Sequence, residues 1–217
     1  MKGYIFNIES GKSELILSRY IMNIRDSIES PKWSPDGNSV IFSQRGYSTS
    51  KIGILNLSTK NVEYISPEDP HDRNPIWVSY KNKIIFIYNN IGTRNLCSMN
   101  NDGSDRNIIL SNIDSGYRYS INSKEIIVYS DGTDLYTIDV MGNNKKKIRD
   151  GDSIIWKPRW SPDEKYVVYL DGWLISPMNR EDNFHYTEIY KTNINTKRTQ
   201  QLTNNNVIEE FPSWIDI

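Results

Sequence analysis

The chain has 217 residues, of which 37% are apolar, and its 26 basic and 27 acidic residues give a formal net charge of -1. This length supplies enough apolar material for one all-β domain or two small ones. The balanced charge offers no general attraction to nucleic acid or to an anionic membrane, so neither is expected as a partner.

Compartment is only weakly indicated. Cys97 is the single cysteine, which excludes a disulfide within the chain and predicts a small buried hydrophobe. The N-terminus lacks a signal-peptide pattern, and no stretch reaches the roughly 20 apolar residues of a membrane span. We therefore expect a soluble protein. A cytoplasmic location is favoured, and an exported mature form whose leader is not shown stays open.

The first predicted strands are residues 4–8 and 14–17, which are short apolar runs. A repeated unit then begins at residues 31–37, Pro-Lys-Trp-Ser-Pro-Asp-Gly. Its last four residues predict a tight turn, because Pro35 presets φ, Asp36 can bond its own backbone and Gly37 accepts a positive φ. The β-branched and aromatic run that follows is expected to return antiparallel.

The unit recurs along the chain. Its aromatic anchors are Trp33, Trp77, Tyr119, Trp160 and Trp214, at spacings of 44, 42, 41 and 54 residues. After each of the first four anchors come a second apolar strand, a third alternating strand and a fourth strand rich in charge. Four antiparallel strands in about 40 to 45 residues are typical of a β-propeller blade.

Two stretches carry a family resemblance. Trp-Ser-Pro-Asp-Gly at 33–37, and residues 201–214 running from Gln-Leu-Thr to Phe-Pro-Ser-Trp, resemble the TolB-type propeller repeat found in bacterial proteins. They are also similar to the propeller repeats of prolyl oligopeptidase and dipeptidyl peptidase relatives. The resemblance implies a propeller fold. The sequence has no Gly-x-Ser-x-Gly elbow, so peptidase activity is not expected.

We therefore predict an all-β, single-domain β-propeller of five blades over residues 1–217. Four full blades are expected at about 31–73, 74–115, 116–156 and 157–208. The fifth is composite, with residues 1–30 pairing with residues 209–217 to close the ring and remove exposed edges. The alternative is that the chain is a fragment of a longer protein.

The predicted binding face collects the fourth-to-first and second-to-third connections, which lie at one end of every such blade. Its longest loop, residues 171–186, is expected to be functional or to cover the edge of its own blade. Further side chains come from the linkers before the innermost strands. The binding residues predicted from both sources are Arg73, Trp156, Lys157, Trp173, His185 and Glu210. The alternative is that Arg73 and Glu210 only form ion pairs with neighbouring residues at a solvent-exposed rim.

No catalytic constellation, cofactor motif or metal-ligand cluster is recognised, and two histidines are too few for a His-rich site. The first hypothesis is a non-enzymatic, monomeric scaffold that binds a protein or peptide segment. The second is a glycan-binding or glycoside-hydrolysing propeller, with Trp156 and Trp173 as stacking platforms. The carboxylates that keep hydrolysis open are Glu29, Asp72, Glu209 and Glu210. A third is a ligand-free scaffold within a larger assembly.

Overall fold

The computed structural model describes residues 3–17, 27–67, 71–79, 82–90, 93–113, 119–172, 187–205, 209 and 212–214. None of these segments is a helix able to cross a membrane. The chain divides into two compact units, Met1–Asn112 and Ile113–Ile217. That residues 1–217 form one domain stays a prediction.

Unit 1 contains ten strands: β1 (Gly3–Asn7), β2 (Lys12–Leu17), β3 (Ser27–Trp33), β4 (Ser39–Arg45), β5 (Ser50–Asn56), β6 (Val62–Tyr64), β7 (Asp72–Val78), β8 (Lys83–Asn90), β9 (Thr93–Asn100) and β10 (Asn107–Leu110). Unit 2 contains eight: β11 (Tyr119–Ile121), β12 (Ile126–Ser130), β13 (Leu135–Asp139), β14 (Lys146–Arg149), β15 (Ile154–Trp160), β16 (Tyr166–Gly172), β17 (Thr187–Asn193) and β18 (Thr199–Gln201).

The strands form four complete blades. Sheets β3–β6, β7–β10, β11–β14 and β15–β18 are each four-stranded, antiparallel and paired in chain order. The predicted all-β blade pattern is therefore confirmed, but the fifth blade is not: β1 and β2 form a two-stranded sheet of their own. Residues 212–214, the described part of the expected C-terminal strand, have no strand assignment.

Three of the four innermost strands, β3, β7 and β15, are longer than predicted. Residues expected as linkers pair with the ends of the second strands, as Ser27 does with Arg45 and Ile154 does with Gly172. A register shift within β3, β7 and β15 accommodates this extra length. Strand β16 likewise runs to Gly172, so the first two residues of the predicted 171–186 loop belong to a strand.

The predicted turn at residues 34–37 is present. Gly37 donates its N–H to the Ser34 carbonyl at 3.0 Å and has a φ of 73°. The Ser34 hydroxyl donates to Asp36 at 2.6 Å. In the copy at residues 161–164, Glu164 takes the glycine position with a φ of 57°. Its carboxylate instead accepts the backbone N–H of Ser123, in the preceding blade, at 2.8 Å.

Apolar side chains hold neighbouring blades together. In unit 1 the cluster joins β4 and β5 to β8 and β9 through Ile41, Ile52, Ile65, Ile84, Phe86, Cys97 and Met99. In unit 2 it comprises Val128, Leu135, Ile148, Ile155, Val167 and Tyr169. Each fully buried side chain of this size contributes about 1.5 to 3 kcal/mol. Cys97 is buried as expected, and burial raises the pKa of its thiol to about 11.

One buried ion pair accompanies the core of unit 1. Asp72, at the start of β7, is completely buried. Its carboxylate accepts hydrogen bonds from Arg106 Nη2 at 2.7 Å and from the Ser66 hydroxyl at 2.7 Å. The Arg106 guanidinium also lies 4.5 Å from the centre of the Phe86 ring. Because Asp72 is buried inside this network, it is not a candidate for the carboxylates of glycoside hydrolysis considered above.

Replacing Asp72 by alanine is expected to lower the free energy of unfolding by about 3 kcal/mol, because it leaves the Arg106 charge without its partner. The matched control is Glu14→Ala, which removes a 65% exposed carboxylate paired with Lys60 and is expected to cost at most about 0.5 kcal/mol. Urea denaturation of both variants measures this difference. Equal losses of unfolding free energy in the two variants would show that the buried ion pair stabilises the fold no more than the exposed one.

The turn at 34–37 predicts a pH dependence. Hydrogen bonds from the Ser34 hydroxyl and, to a smaller extent, from Asn38 lower the pKa of Asp36 from 3.8 to about 2. Because the folded pKa lies below the unfolded one, the stabilisation is complete above about pH 4 and is lost as the pH falls through about 2. In Ser34→Ala we expect the pKa of Asp36 to rise, as measured by carboxyl NMR titration. Asp163, whose pKa is lowered by Ser161, is the internal control and should not move.

Candidate functional site

The predicted binding face corresponds to one end of each blade. Ladder pairing places the start of β3 beside the β4–β5 hairpin, since Ser27 pairs with Arg45 and Arg45 with Ser50. The same arrangement in unit 2 places Ile154 beside Gly172, which pairs with Thr187. We call this end, in each unit, the loop face. The Ser-Pro-Asp turns lie at the opposite end of the strands.

A repeated backbone distortion marks the innermost strands. Ser30, Asn74 and Lys157 have φ angles of 53°, 53° and 50°. Each immediately precedes a proline and lies where the ladder register shifts. A left-handed conformation costs a non-glycine residue about 1 to 2 kcal/mol. Bulges of this kind redirect side chains and are over-represented beside functional sites.

The two bulges of unit 1 are hydrogen-bonded to each other, and the second is also hydrogen-bonded to β4. The Ser30 hydroxyl donates to Asn74 Oδ1 at 2.8 Å, which joins the innermost strands of two adjacent blades. The backbone N–H of Asn74 donates to the buried Ser43 hydroxyl at 2.9 Å. The bulged conformation is therefore supported from both sides.

Arg73 lies in β7, one residue before the Asn74 bulge, and not in a linker as predicted. Its Nε donates to the Ser50 hydroxyl at 3.2 Å, and that hydroxyl donates to the Asp72 carbonyl at 2.9 Å. These bonds fix a half-buried guanidinium against the end of the β4–β5 hairpin. Nearby on the same face, Arg45 lies 3.5 Å from Glu29.

Trp156 and Lys157 lie in β15, again within a strand and not before it. Both are half-buried, and Trp156 pairs with Leu170 across the ladder. The neighbouring Asp171 is buried and forms an ion pair with Arg149. The Arg149 guanidinium lies 5.2 Å from the centre of the Tyr169 ring. This second buried pair stiffens the loop face of unit 2 beside Trp156.

The start of β17 is hydrogen-bonded to Glu209, which therefore lies at the loop face of unit 2. The Thr187 hydroxyl donates to the Glu209 carbonyl at 2.8 Å, and the Glu209 N–H donates back to that hydroxyl at 2.9 Å. Of the predicted binding residues, Arg73, Trp156 and Lys157 are thus located. Trp173, His185 and Glu210 lie outside the described residues.

Sequence reasoning missed Ser30 and Asn74. A sequence signal for these bulges was available: a residue followed by proline recurs at residues 30–31, 74–75 and 157–158. Among the described residues, no three histidine, cysteine or acidic side chains come together in a way that could hold a metal ion.

Comparison with known proteins shows the fold. No protein-family profile and no curated protein sequence matches the chain. The structure of TolB from Acinetobacter baumannii matches with a TM-score of 0.67 and 18% identity, over 93% of this chain and 48% of that one. An oligogalacturonate lyase in complex with manganese matches with a TM-score of 0.62 and 15% identity, over 92% and 58%. A chain of the nidogen/laminin complex matches with a TM-score of 0.65 and 9% identity, over 90% and 69%.

These similarities, with the four-stranded meanders, define the chain as a β-propeller, a fold that it shares with the TolB structure. The chain spans about half the length of the TolB structure. The fold alone does not decide activity, because one of the similar structures is an enzyme and another is part of a protein complex.

The bulge at Asn74 predicts a measurable backbone requirement. The free energy of unfolding of Asn74→Val is expected to be about 1 to 2 kcal/mol lower than that of Asn74→Gly, because a β-branched residue tolerates φ near 53° poorly. Both variants lose the bond to Ser30, so their difference isolates the backbone. Denaturant unfolding measures it, and equal stabilities would mean that the left-handed conformation is not maintained.

Proposed function

We propose that this chain is a non-enzymatic propeller scaffold that binds a protein or peptide segment through its loop face. The observation that carries the proposal is the repeated bulge at Ser30, Asn74 and Lys157. Three blades maintain the same unfavourable conformation at the same point of the innermost strand. Such strain persists where the surrounding structure supports it, and it clusters at binding and catalytic sites.

The side chains beside the bulges suit recognition of a peptide. Arg73 donates to Ser50 and forms no ion pair with a carboxylate of the described residues, so its remaining guanidinium donors suit carboxylate or carbonyl groups of a ligand. Trp156 is a rigid aromatic anchor, a residue type enriched among interface hot spots. Trp173, His185 and Glu210 belong to the same proposed surface.

The proposed surface needs both units in one closed ring. We propose that residues 1–217 form a single, monomeric five-bladed domain whose last blade combines residues 1–26 with residues 209–217. Residues 27–30, expected from the sequence in this blade, belong to β3 instead. The anchor aromatics support this. Trp160 and Trp214 donate to carbonyls of Ile126 and Arg159, in the blade before each, whereas Trp33 is 55% exposed. A composite blade preceding β3 would cover Trp33.

Peptide display tests the binding function. Peptides selected on the wild-type protein are expected to bind Arg73→Ala and Trp156→Ala about tenfold more weakly or worse. The control is Asn38→Ala/Lys165→Ala, which changes two exposed residues at the opposite end and should leave affinity unchanged. Circular dichroism verifies folding. Peptides that bind all variants equally would place binding elsewhere and contradict the proposal.

A second candidate function is carbohydrate binding or glycoside cleavage, favoured by the partly exposed Trp156 on an innermost strand and by the fold shared with the lyase. A glycan panel discriminates between the two. Binding or turnover that disappears in Trp156→Ala or Trp173→Ala, with no peptide selected, would favour the carbohydrate function.

A further inference from the structure

The outermost strand of the last complete blade, β18, has an open edge. All three of its residues are exposed. Asn193 donates its N–H to the Arg198 carbonyl, and Leu202 donates its N–H to the Ile189 carbonyl. Because hydrogen-bonded pairs alternate in an antiparallel ladder, the N–H and C=O groups of Thr199 and Gln201 point away from β17. In the described part of the chain, no backbone group bonds them on that side.

A groove of about 440 Å³ runs along one face of the sheet beside this edge. Residues paired across a ladder share a face, and Lys191 pairs with Gln200 as Tyr166 pairs with Asn193. We call this the basic groove, and it is lined by Tyr166, Lys191, Asn193, Arg198 and Gln200. No carboxylate is among the described residues that line it. Lys191 Nζ lies 5.3 Å from the centre of the Tyr166 ring.

The opposite face of β18 carries charges of both signs. A cavity of about 390 Å³ lies between β14 and β18, and its charged lining residues are Lys147, Arg149, Asp150 and Lys197. Lys147 and Arg149 already pair with aspartates of unit 2. Lys197 is exposed, and its ammonium forms no ion pair within the described ranges. A segment lying along β18 would therefore meet a cation on either face.

Lys191 distinguishes this blade from the first complete blade. Lys191 pairs with Val168, eight residues after the anchor Trp160; the corresponding pair after Trp33 is Ile41 with Ile54. Ile54 packs against the core cluster of unit 1. The lysine at this position places a positive charge where the first complete blade has an apolar contact, and that charge suits an anionic ligand.

We infer that the edge of β18 and the basic groove bind an acidic peptide segment as an added β-strand. Main-chain groups of Thr199 and Gln201 would form the ladder, as in β-strand addition. Because strand side chains alternate, acidic residues on one face would reach Lys191 and Arg198, and those on the other would reach Lys197. This surface is formed by Tyr166 of β16, by β17 and β18 and by the turn between them, so it does not depend on the loop face.

The test uses a blocked eight-residue peptide of alternating Glu and Thr, with its Gln-for-Glu counterpart as the uncharged probe. Calorimetry on the full chain gives affinity, and amide hydrogen exchange followed by NMR reports on Thr199 and Gln201. The test variant is Lys191→Gln/Arg198→Gln. The matched control is Lys12→Gln/Lys60→Gln, which removes the same charge from exposed sites in unit 1.

The acidic peptide is expected to bind the wild-type protein and the control, to bind Lys191→Gln/Arg198→Gln at least about tenfold more weakly, and to slow exchange at Thr199 and Gln201. Absence of binding, or equal binding to test and control variants, would overturn the inference. If the peptide binds but slows exchange at neither amide, strand addition is overturned. Binding of oligogalacturonate without binding of the peptide would assign the groove to an acidic polysaccharide instead.

Discussion

The Asp72 carboxylate is completely buried between two blades, and much of unit 1 depends on how that charge is compensated. A buried charge is tolerated only with a close partner and further hydrogen bonds, so Arg106 and Ser66 must occupy fixed positions around it. Apolar contacts between sheets tolerate small displacements, whereas this network does not. In unit 2, Asp171 with Arg149 and Ser153 has the same role. Each network adjoins a predicted binding residue: Arg73 follows Asp72, and Asp171 pairs with the residue before Trp156.

The fold was predictable where the signals are local. Trp33 and Trp160 with their Ser-Pro-Asp turns identify the repeat, and short apolar runs locate the later strands of each blade. The innermost strands were predicted too short, because a bulge at Ser30 or Asn74 lets a polar segment continue a ladder that periodicity alone would end. The ion pairs were not predictable, since Asp72 and Arg106 lie 34 residues apart and neither belongs to a motif. Blade number was predicted from the ends of the chain, where the repeat is weakest.

Function resides in the site and not in the fold, as the similar structures show by including both a lyase and a protein complex. In this chain the distinctive features are the bulged innermost strands on the loop face and the cationic edge of β18. The loop face of unit 1 has two of these bulges beside Arg73, and that of unit 2 has one beside Trp156. The edge of β18 offers unpaired main chain and positive charge, which suits an extended acidic segment.

The proposed closed ring would bring the loop faces of the two units into a single binding surface. The most direct measurement is a pulsed electron paramagnetic resonance distance between spin labels at Tyr47→Cys and Asp131→Cys, in a Cys97→Ala background. Both positions are exposed, on the β4–β5 and β12–β13 hairpins. One narrow distance that does not change with protein concentration is the predicted result. A broad distribution, or a distance that appears only at high concentration, would contradict the closed monomeric ring and separate Arg73 from Trp156.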